Sequence, residues 1–465
     1  VIGQVDDSRC PAGGGDGGAG HGTAAGAWQD GAMTASVELI RDDIEASPTP
    51  YHAARRAAEV LEAAGWQPVD PALPLPRDPG GRYLFVRGGS VLAWALPEGP
   101  ADCFVVAGAH TDSPNLRVKA HPDRSAAGFR QLGVEVYGGV LVNSWLDRDL
   151  GLAGRVATID PAGVVTTRLF ADDRPLLRIP QLAIHLDRDV WEKGLLLDLQ
   201  RHLSPLWGVG HDDPGGFRRY LAERLCVTPD QVLSWDVMAF DVQPPAIAGA
   251  GGELLSSARI DNLVSCFAAV RALASVGEEL AVGTIPVVAL FDHEEVGSAT
   301  ATGAAGALLA TTLERISASA GLDRDGHLRT LLRSLVVSAD GAHATNPNYV
   351  ERHEPEHLIE LNAGIVVKHN ANQRYATDAH SEARLLAVCR QAEVPVQHYV
   401  HRNDLVCGST IGPITAARLG VEVVDVGVPQ LAMHSVRELA GVDDVAHLQH
   451  ALRAAWCFAS PQAAQ

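Results

Sequence analysis

Five side chains of metal-ligating type stand at or near the ends of apolar segments scattered along the 465-residue chain: His110, Asp261, Glu295, Asp340 and His434. They are carboxylates and imidazoles, with no thiolate among them. Nitrogen and oxygen donors of this kind suit zinc, with manganese or cobalt as substitutes. A tetrahedral catalytic zinc normally takes three protein ligands and keeps one position open, so the set is too large for a single ion. It fits two ions if one aspartate bridges them. Each ion then receives the bridge, one imidazole and one further carboxylate. Paired ions of this sort lie about 3.5–4 Å apart and clamp one water between them.

The segment "FDHEEVGS" (Phe291–Ser298) holds the least ordinary pair, Glu294 and Glu295, placed directly after the buried-strand pattern "TIPVVAL". Adjacent carboxylates repel each other and resist burial, and cations would offset both costs. In extended chain, successive side chains point to opposite sides, so the two cannot serve one ion alike. Glu295 is expected to bind metal. Glu294 is expected to remain free as the general base, taking a proton from water and passing it to a leaving amine. Asp112, two residues after His110, is expected to fix the His110 ring through its other nitrogen.

Each residue alone has a plainer reading. A histidine after a strand is usually a satisfied core or surface residue, and an aspartate there is a turn-former. Asp261 in "SSARIDNLVSCF" sits where a helix should begin, the usual place of an N-cap, and it is free both to cap and to bind. The set is more specific than any member because of the elements that must position it. "CFVVAGAHTD", "TIPVVALFDHEE", "SLVVSADGAH" (with Asp340 and His343) and "VEVVDVGVPQLAMHS" all read as strands ending in such groups. In an open α/β sheet, ligands gather outside the carboxyl ends of the strands.

The remaining chain fits that frame. "TASVELIRDDIEASPTPYHAARRAAEVLEAAGW" carries two helical patterns around a Ser-Pro-Thr-Pro break, with Gly65 as a helix stop. "RYLFVRGG" and "SVLAWAL" read as strands. Between Leu116 and Pro245 the pattern changes to alternating strands with glycine turns, which predicts an inserted domain over 116–245 within a catalytic domain formed by 33–115 and 246–465. Alternating helices and buried strands on either side predict an α/β fold with a mostly parallel, doubly wound sheet. Residues 1–32, rich in glycine and alanine, read as a disordered tail, and Met33 is a candidate natural start.

Composition bounds the function. With 46% hydrophobic and 20% charged residues, the chain can bury a large core in more than one domain. A net charge of −19 argues against nucleic acid or an anionic membrane as partner. Seven scattered cysteines without a CxxC pair read as reduced, cytoplasmic usage. No apolar run is long enough to span a bilayer.

The segments "SPTPYHA", "GAHTDSPNLRVK", "YGGVLVNSWLDRDLGLAGR", "IPQLAIHLDR", "SARIDNL", "FDHEEVGS", "SADGAHATNPNY", "NANQRYATD", "CGSTIGPITA" and "VGVPQLAMHSVRE" together resemble the aspartyl aminopeptidase family of co-catalytic dizinc aminopeptidases. The resemblance runs from Ser47 to Glu438. It implies a zinc-exopeptidase-like catalytic domain in which His110, Asp261 and Asp340 hold one zinc and Asp261, Glu295 and His434 the other, with Glu294 as general base. It implies hydrolysis of an unblocked N-terminal Asp or Glu from peptides. It implies a homo-oligomer, a tetrahedral dodecamer built from dimers, with the β-rich insert as dimerisation domain. By position, His185 resembles a residue that reaches a neighbouring subunit's site, and His343, Lys368 and Tyr375 match substrate-contact positions. An acidic substrate side chain entering so negative a protein needs a fixed cation, for which Lys368 is the candidate. His369 and Gly341 depart from the family's pattern. Two rival readings are a dizinc aminopeptidase or deacylase of other specificity, and a non-catalytic scaffold stabilised by zinc. A purely structural site would have no need of the spare carboxylate Glu294.

Overall fold

The computed structural model describes residues 36–458 apart from 212 and 278. The glycine-rich segment 1–32 expected to be a tail lies outside the described residues. Three sheets organise the rest: one of nine strands, one of six and one of five.

The nine-stranded sheet has at its centre four parallel strands lying side by side: Thr284–Phe291, Cys103–His110, Leu335–Ala339 and Glu422–Gly427. Antiparallel pairing appears toward both edges, where Ser90–Ala95 joins Thr284–Phe291 and Ile365–His369 joins Glu422–Gly427. The central strands are buried on both faces, which explains their continuous apolar sequence. Side chains alternate between two separate cores. Val105, Ala107 and Ala109 pack on one face with helices Pro50–Ala63, Ile260–Ser275 and Val442–Cys457. Phe104 and Val106 pack on the other with helices Leu308–Ser319 and Ile411–Leu419.

Local chemistry explains the helix boundaries. Thr49 caps helix Pro50–Ala63 by accepting from His52 N, Pro50 occupies the first turn, and Gly65 at φ +86° ends it. The final helix is fastened to the middle of the sheet by the fully buried Trp456, whose Nε1 donates to Val105 O at 2.9 Å. Truncating such a residue to alanine costs about 3–5 kcal/mol.

The six-stranded sheet uses only strands between Asn115 and Asp241. It is antiparallel throughout, and helix Gly216–Leu225 packs Phe217, Leu221 and Leu225 into its core. The chain enters it directly after His110 and leaves it at Asp241, then passes through strands Ala246–Ala248 and Leu254–Ser257 of the five-stranded sheet before reaching Asp261. Among the described residues, no helix is long and apolar enough to cross a membrane.

Candidate metal centre

The register of the sheet brings the predicted residues together. His110 ends its strand opposite Phe291, and Asp340 follows the neighbouring strand. His434 sits at φ +66° in the turn between strands Pro429–Leu431 and Glu438–Gly441. Asp261 lies at the start of helix Ile260–Ser275, in non-helical backbone. His110 Nε2 is 3.2 Å from Asp261 Oδ1 and 3.4 Å from Asp340 Oδ1. His434 Nε2 is 3.3 Å from Asp261 Oδ2 and 3.4 Å from Glu295 Oε1. Asp261 therefore presents one oxygen to each histidine. Ligand atoms within each group, His110–Asp261–Asp340 and Asp261–Glu295–His434, all lie within 4.8 Å of one another.

These contacts fit cations better than hydrogen bonds. The other ring nitrogen of each histidine is committed: His110 Nδ1 donates to Asp112 O at 2.9 Å, and His434 Nδ1 donates to Gly139 O at 3.0 Å. A carbonyl only accepts, so in the neutral rings Nδ1 carries the hydrogen and Nε2 offers a lone pair to the cluster. Asp261 Oδ1 and Glu295 Oε1 are buried and have no hydrogen-bond partner. Lone pairs converging on orphaned carboxylate oxygens repel unless a cation lies between them.

Without a bound cation the surrounding carboxylates favour a proton on each ring, and a cation between the neutral rings takes the place of that proton. Burial opposes a charge on His110, but Asp112, Asp261 and Asp340 reverse that and push its pKa well above the ordinary range. Burial lowers His434 as well, and Asp261 and Glu295 outweigh it, raising the ring to about 10. Burial pushes Glu294 up to about 7 and Glu295 well above the usual carboxylate range. The site thus carries more negative charge than its own groups can neutralise.

One expectation needs correction and two become more specific. The two glutamates are not in extended chain; the strand stops at Phe291, and Glu294–Val296 form a single 3-10 turn entered through His293 at φ +68°. With about three residues per turn, neighbouring side chains diverge by roughly a third of a circle rather than by half. Glu294 accordingly also comes within 4.8 Å of ligand atoms of His110 and Glu295. Asp112 holds the His110 ring chiefly through its main-chain carbonyl, since its Oδ1 lies farther away at 3.5 Å. Its carboxylate instead accepts from Glu294 N at 3.0 Å and Glu295 N at 3.1 Å, fixing the turn. Asp261 does not cap its helix; both oxygens face histidines, and its own main-chain N–H donates to Glu438 Oε2 at 3.0 Å.

The other predicted residues divide. Lys368 is buried: its Nζ donates to Gly341 O at 3.1 Å, stands 3.8 Å from Asp340 Oδ2 and lies over the Tyr375 ring at 5.1 Å. His343 is partly buried, and burial followed by the nearby Lys368 charge lowers it to about 4, which leaves it neutral. His185 lies in an exposed turn of the insert.

Sequence reasoning missed Glu438 and Tyr137. Glu438 Oε1 accepts from His434 N at 2.7 Å while Oε2 holds Asp261 N, so one buried carboxylate anchors two ligands. Burial, then Asp261, pushes it up to about 8. Its signal was an acid four residues after His434 in an otherwise guarded segment. Tyr137 Oη donates to Asp112 Oδ2 at 2.7 Å, a contact between the insert and the catalytic turn that no local pattern announces.

Known proteins resemble this chain over most of its length. The model of the family described as aminopeptidase I zinc metalloprotease (M18) matches residues 44–456. A probable M18 family aminopeptidase 2 of Mycobacterium leprae (strain TN) is 50% identical over 427 residues, covering 91% of this chain and 98% of that relative. A chain in the cryo-EM structure of the Ape4 and Nbr1 complex superposes with a TM-score of 0.87 at 35% identity, over 91% of this chain and 85% of that one. The S. cerevisiae mApe1 dodecamer gives 0.78 at 28% identity, over 91% and 96% respectively.

Proposed function

Starting from a chain that belongs to the M18 family of aminopeptidase I zinc metalloproteases, we propose that it removes an unblocked N-terminal aspartate or glutamate from peptides using two zinc ions per subunit. The family itself supplies the hydrolase class and the zinc. The two-ion count, the acidic preference and the base are our reading.

The observation that carries the count is Asp261, whose two oxygens face the two histidines separately. His110, Asp340 and Asp261 would hold one ion, and Asp261, Glu295 and His434 the other. When bound, such a pair supplies an acidified water and Lewis-acid polarisation of the scissile carbonyl. Manganese or cobalt suits the same donors.

The chain's own residues do the rest. Asp112 holds the turn that aims Glu294 at the cluster. Glu294 takes the proton of the attacking water and returns it to the leaving amine. Lys368 is the buried cation beside the ligands, and an acidic first side chain would meet it there. His343 and Tyr375 border the same space, and both are uncharged at neutral pH. His185 stands exposed in a turn of the insert, open to a neighbouring subunit's site.

We also assign the insert, residues 116–245, to subunit contact in a dodecamer built from dimers. Leu186, Trp191 and Leu196 are 74%, 86% and 77% exposed in the segment around His185, an apolar cluster of the kind that marks protein interfaces. The mApe1 neighbour is a dodecamer. Substrate and partner are thus peptide and further copies of this chain, and the cytoplasm is the matching compartment.

The test is a substrate panel with N-terminal Asp, Glu and Leu, and N-acylated Asp. Preferential release of Asp and Glu, with none from the blocked peptide, is expected. Equal or faster release of Leu would assign a broader aminopeptidase, and cleavage of the acylated peptide a deacylase; either overturns this reading.

A further inference from the structure

A second convergence of ligand-type side chains lies away from the principal centre, at the edge of the nine-stranded sheet. His369 closes strand Ile365–His369, His398 lies in the neighbouring edge strand Val396–Val400, and Glu382 projects from helix Ala379–Gln391. His369 Nε2 is 3.2 Å from Glu382 Oε1, and His398 Nε2 is 2.9 Å from the same oxygen. The imidazole rings stack with centroids 5.9 Å apart and an interplanar angle of 28°. All three ligand atoms lie within 4.8 Å of one another.

We propose that His369, Glu382 and His398 form a further binding site for a zinc-class divalent cation, separate from the principal centre. Two histidines and one glutamate are a standard zinc donor set. Ligand atoms about 2.1 Å from a tetrahedral ion stand about 3.4 Å from each other. The 3.2 Å contact of His369 and those of the principal centre lie close to that spacing, while the 2.9 Å contact of His398 would open by about half an ångström around an ion. The plainer account has Glu382 accepting hydrogen bonds from two neutral imidazoles. That account needs both rings to carry hydrogen on Nε2 and to crowd one oxygen of a carboxylate that has two. An ion satisfies all three groups from one point. The side chains are 30%, 20% and 44% exposed for His369, Glu382 and His398, which leaves an entry path and room for water in the remaining position.

The location gives the site a purpose. Along a strand, successive side chains alternate faces. Lys368 turns toward Asp340, and His369 turns to the opposite face. The ion would join the end of that strand to Glu382 and close the connection 370–381, which carries Tyr375. It would thereby pin the segment on which Lys368 and Tyr375 stand. The inference is independent of what the principal centre holds.

The test is equilibrium dialysis of the purified full chain in buffers of rising free zinc, with metal counted by mass spectrometry, for wild type, His398→Ala and Glu382→Gln. The expected result is one ion fewer per chain in each variant at saturating micromolar zinc, and loss of the last zinc-dependent rise in Tm. Glu382→Gln keeps the side-chain shape, so it decides the matter should His398→Ala fail to fold. Equal metal content in Glu382→Gln and wild type across the range would overturn the site and leave Glu382 as a hydrogen-bond acceptor only.

Discussion

The Tyr137 hydroxyl, at the base of the inserted sheet, donates a 2.7 Å hydrogen bond to Asp112 Oδ2 beneath the turn that carries Glu294 and Glu295. Insert and catalytic sheet are therefore coupled at the point where the ligands are aimed. Asp112 is fully buried, so losing this donor leaves a carboxylate oxygen undersolvated. Tyr137→Phe should lower kcat/KM by about 10- to 100-fold, the usual effect of removing a group that orients metal ligands. Sedimentation should show an unchanged assembly.

Gly427 and Asp340 meet backbone to backbone. A Cβ added at Gly427 would lie 1.9 Å from Asp340 O and 3.0 Å from Ala342 N, both main-chain atoms that cannot swing aside. Gly427→Ala should displace Asp340 and weaken metal binding by at least about 10-fold. Zinc retained on dialysis against a weak chelator measures it. An unchanged affinity would show that Asp340 is not held by this contact.

Much of the site was readable because His110, Asp340 and the glutamate pair stand at or just beyond the ends of central strands. Apolar runs such as "TIPVVALF" mark strands buried on both faces, and the residue after each run is placed by the sheet rather than by local sequence. What could not be read is what holds those residues. Glu438 and Tyr137 act through tertiary contacts across a sequence separation of 177 and 25 residues to Asp261 and Asp112. The 3-10 turn at Glu294 depends on His293 adopting positive φ, a minority state even for histidine that local sequence does not specify. The burial of Lys368 was not legible either, because one lysine in "IVVKH" does not say which face its strand turns inward. The described residues do place a separate antiparallel sheet between Asn115 and Asp241, where the change in glycine and alternation pattern is visible.

Metal removal should destabilise the protein, and more so as pH rises. Glu294 is pushed up to about 7, Glu438 to about 8, and Glu295 well above its ordinary value, all by burial first. A carboxylate with a raised folded pKa takes up a proton on folding. Its contribution is complete below about pH 4 and is lost as pH rises through the folded value. His434, raised to about 10 against burial by Asp261 and Glu295, has the same sign: its contribution holds below about 6.5 and is lost toward 10. Bound cations remove this penalty. The Tm gap between zinc-loaded and EDTA-treated protein should therefore widen from about pH 5 to about pH 8, exceeding about 5 °C at the upper end. A gap that narrows with pH would contradict the charge balance of the site.

Lys368→Met should remove the attraction for an acidic first residue while leaving an apolar side chain of similar length. Breaking a buried charge interaction costs about 3–5 kcal/mol, so kcat/KM for the Asp substrate should fall by about 100-fold or more. Release from a Leu substrate should change far less. Equal losses on both substrates would point to a positioning role through Asp340, from which Lys368 Nζ is 3.8 Å away.

The most direct measurement is the zinc content and turnover of Glu294→Gln, taken on the same preparation. Glutamine keeps the shape of a residue assigned to no ion and removes its ability to take a proton. Zinc per chain should match the wild type while kcat falls by about 100-fold or more. Turnover within a few-fold of wild type, or loss of an ion along with activity, would contradict the account of Glu294 as a free base beside a bridged pair of cations.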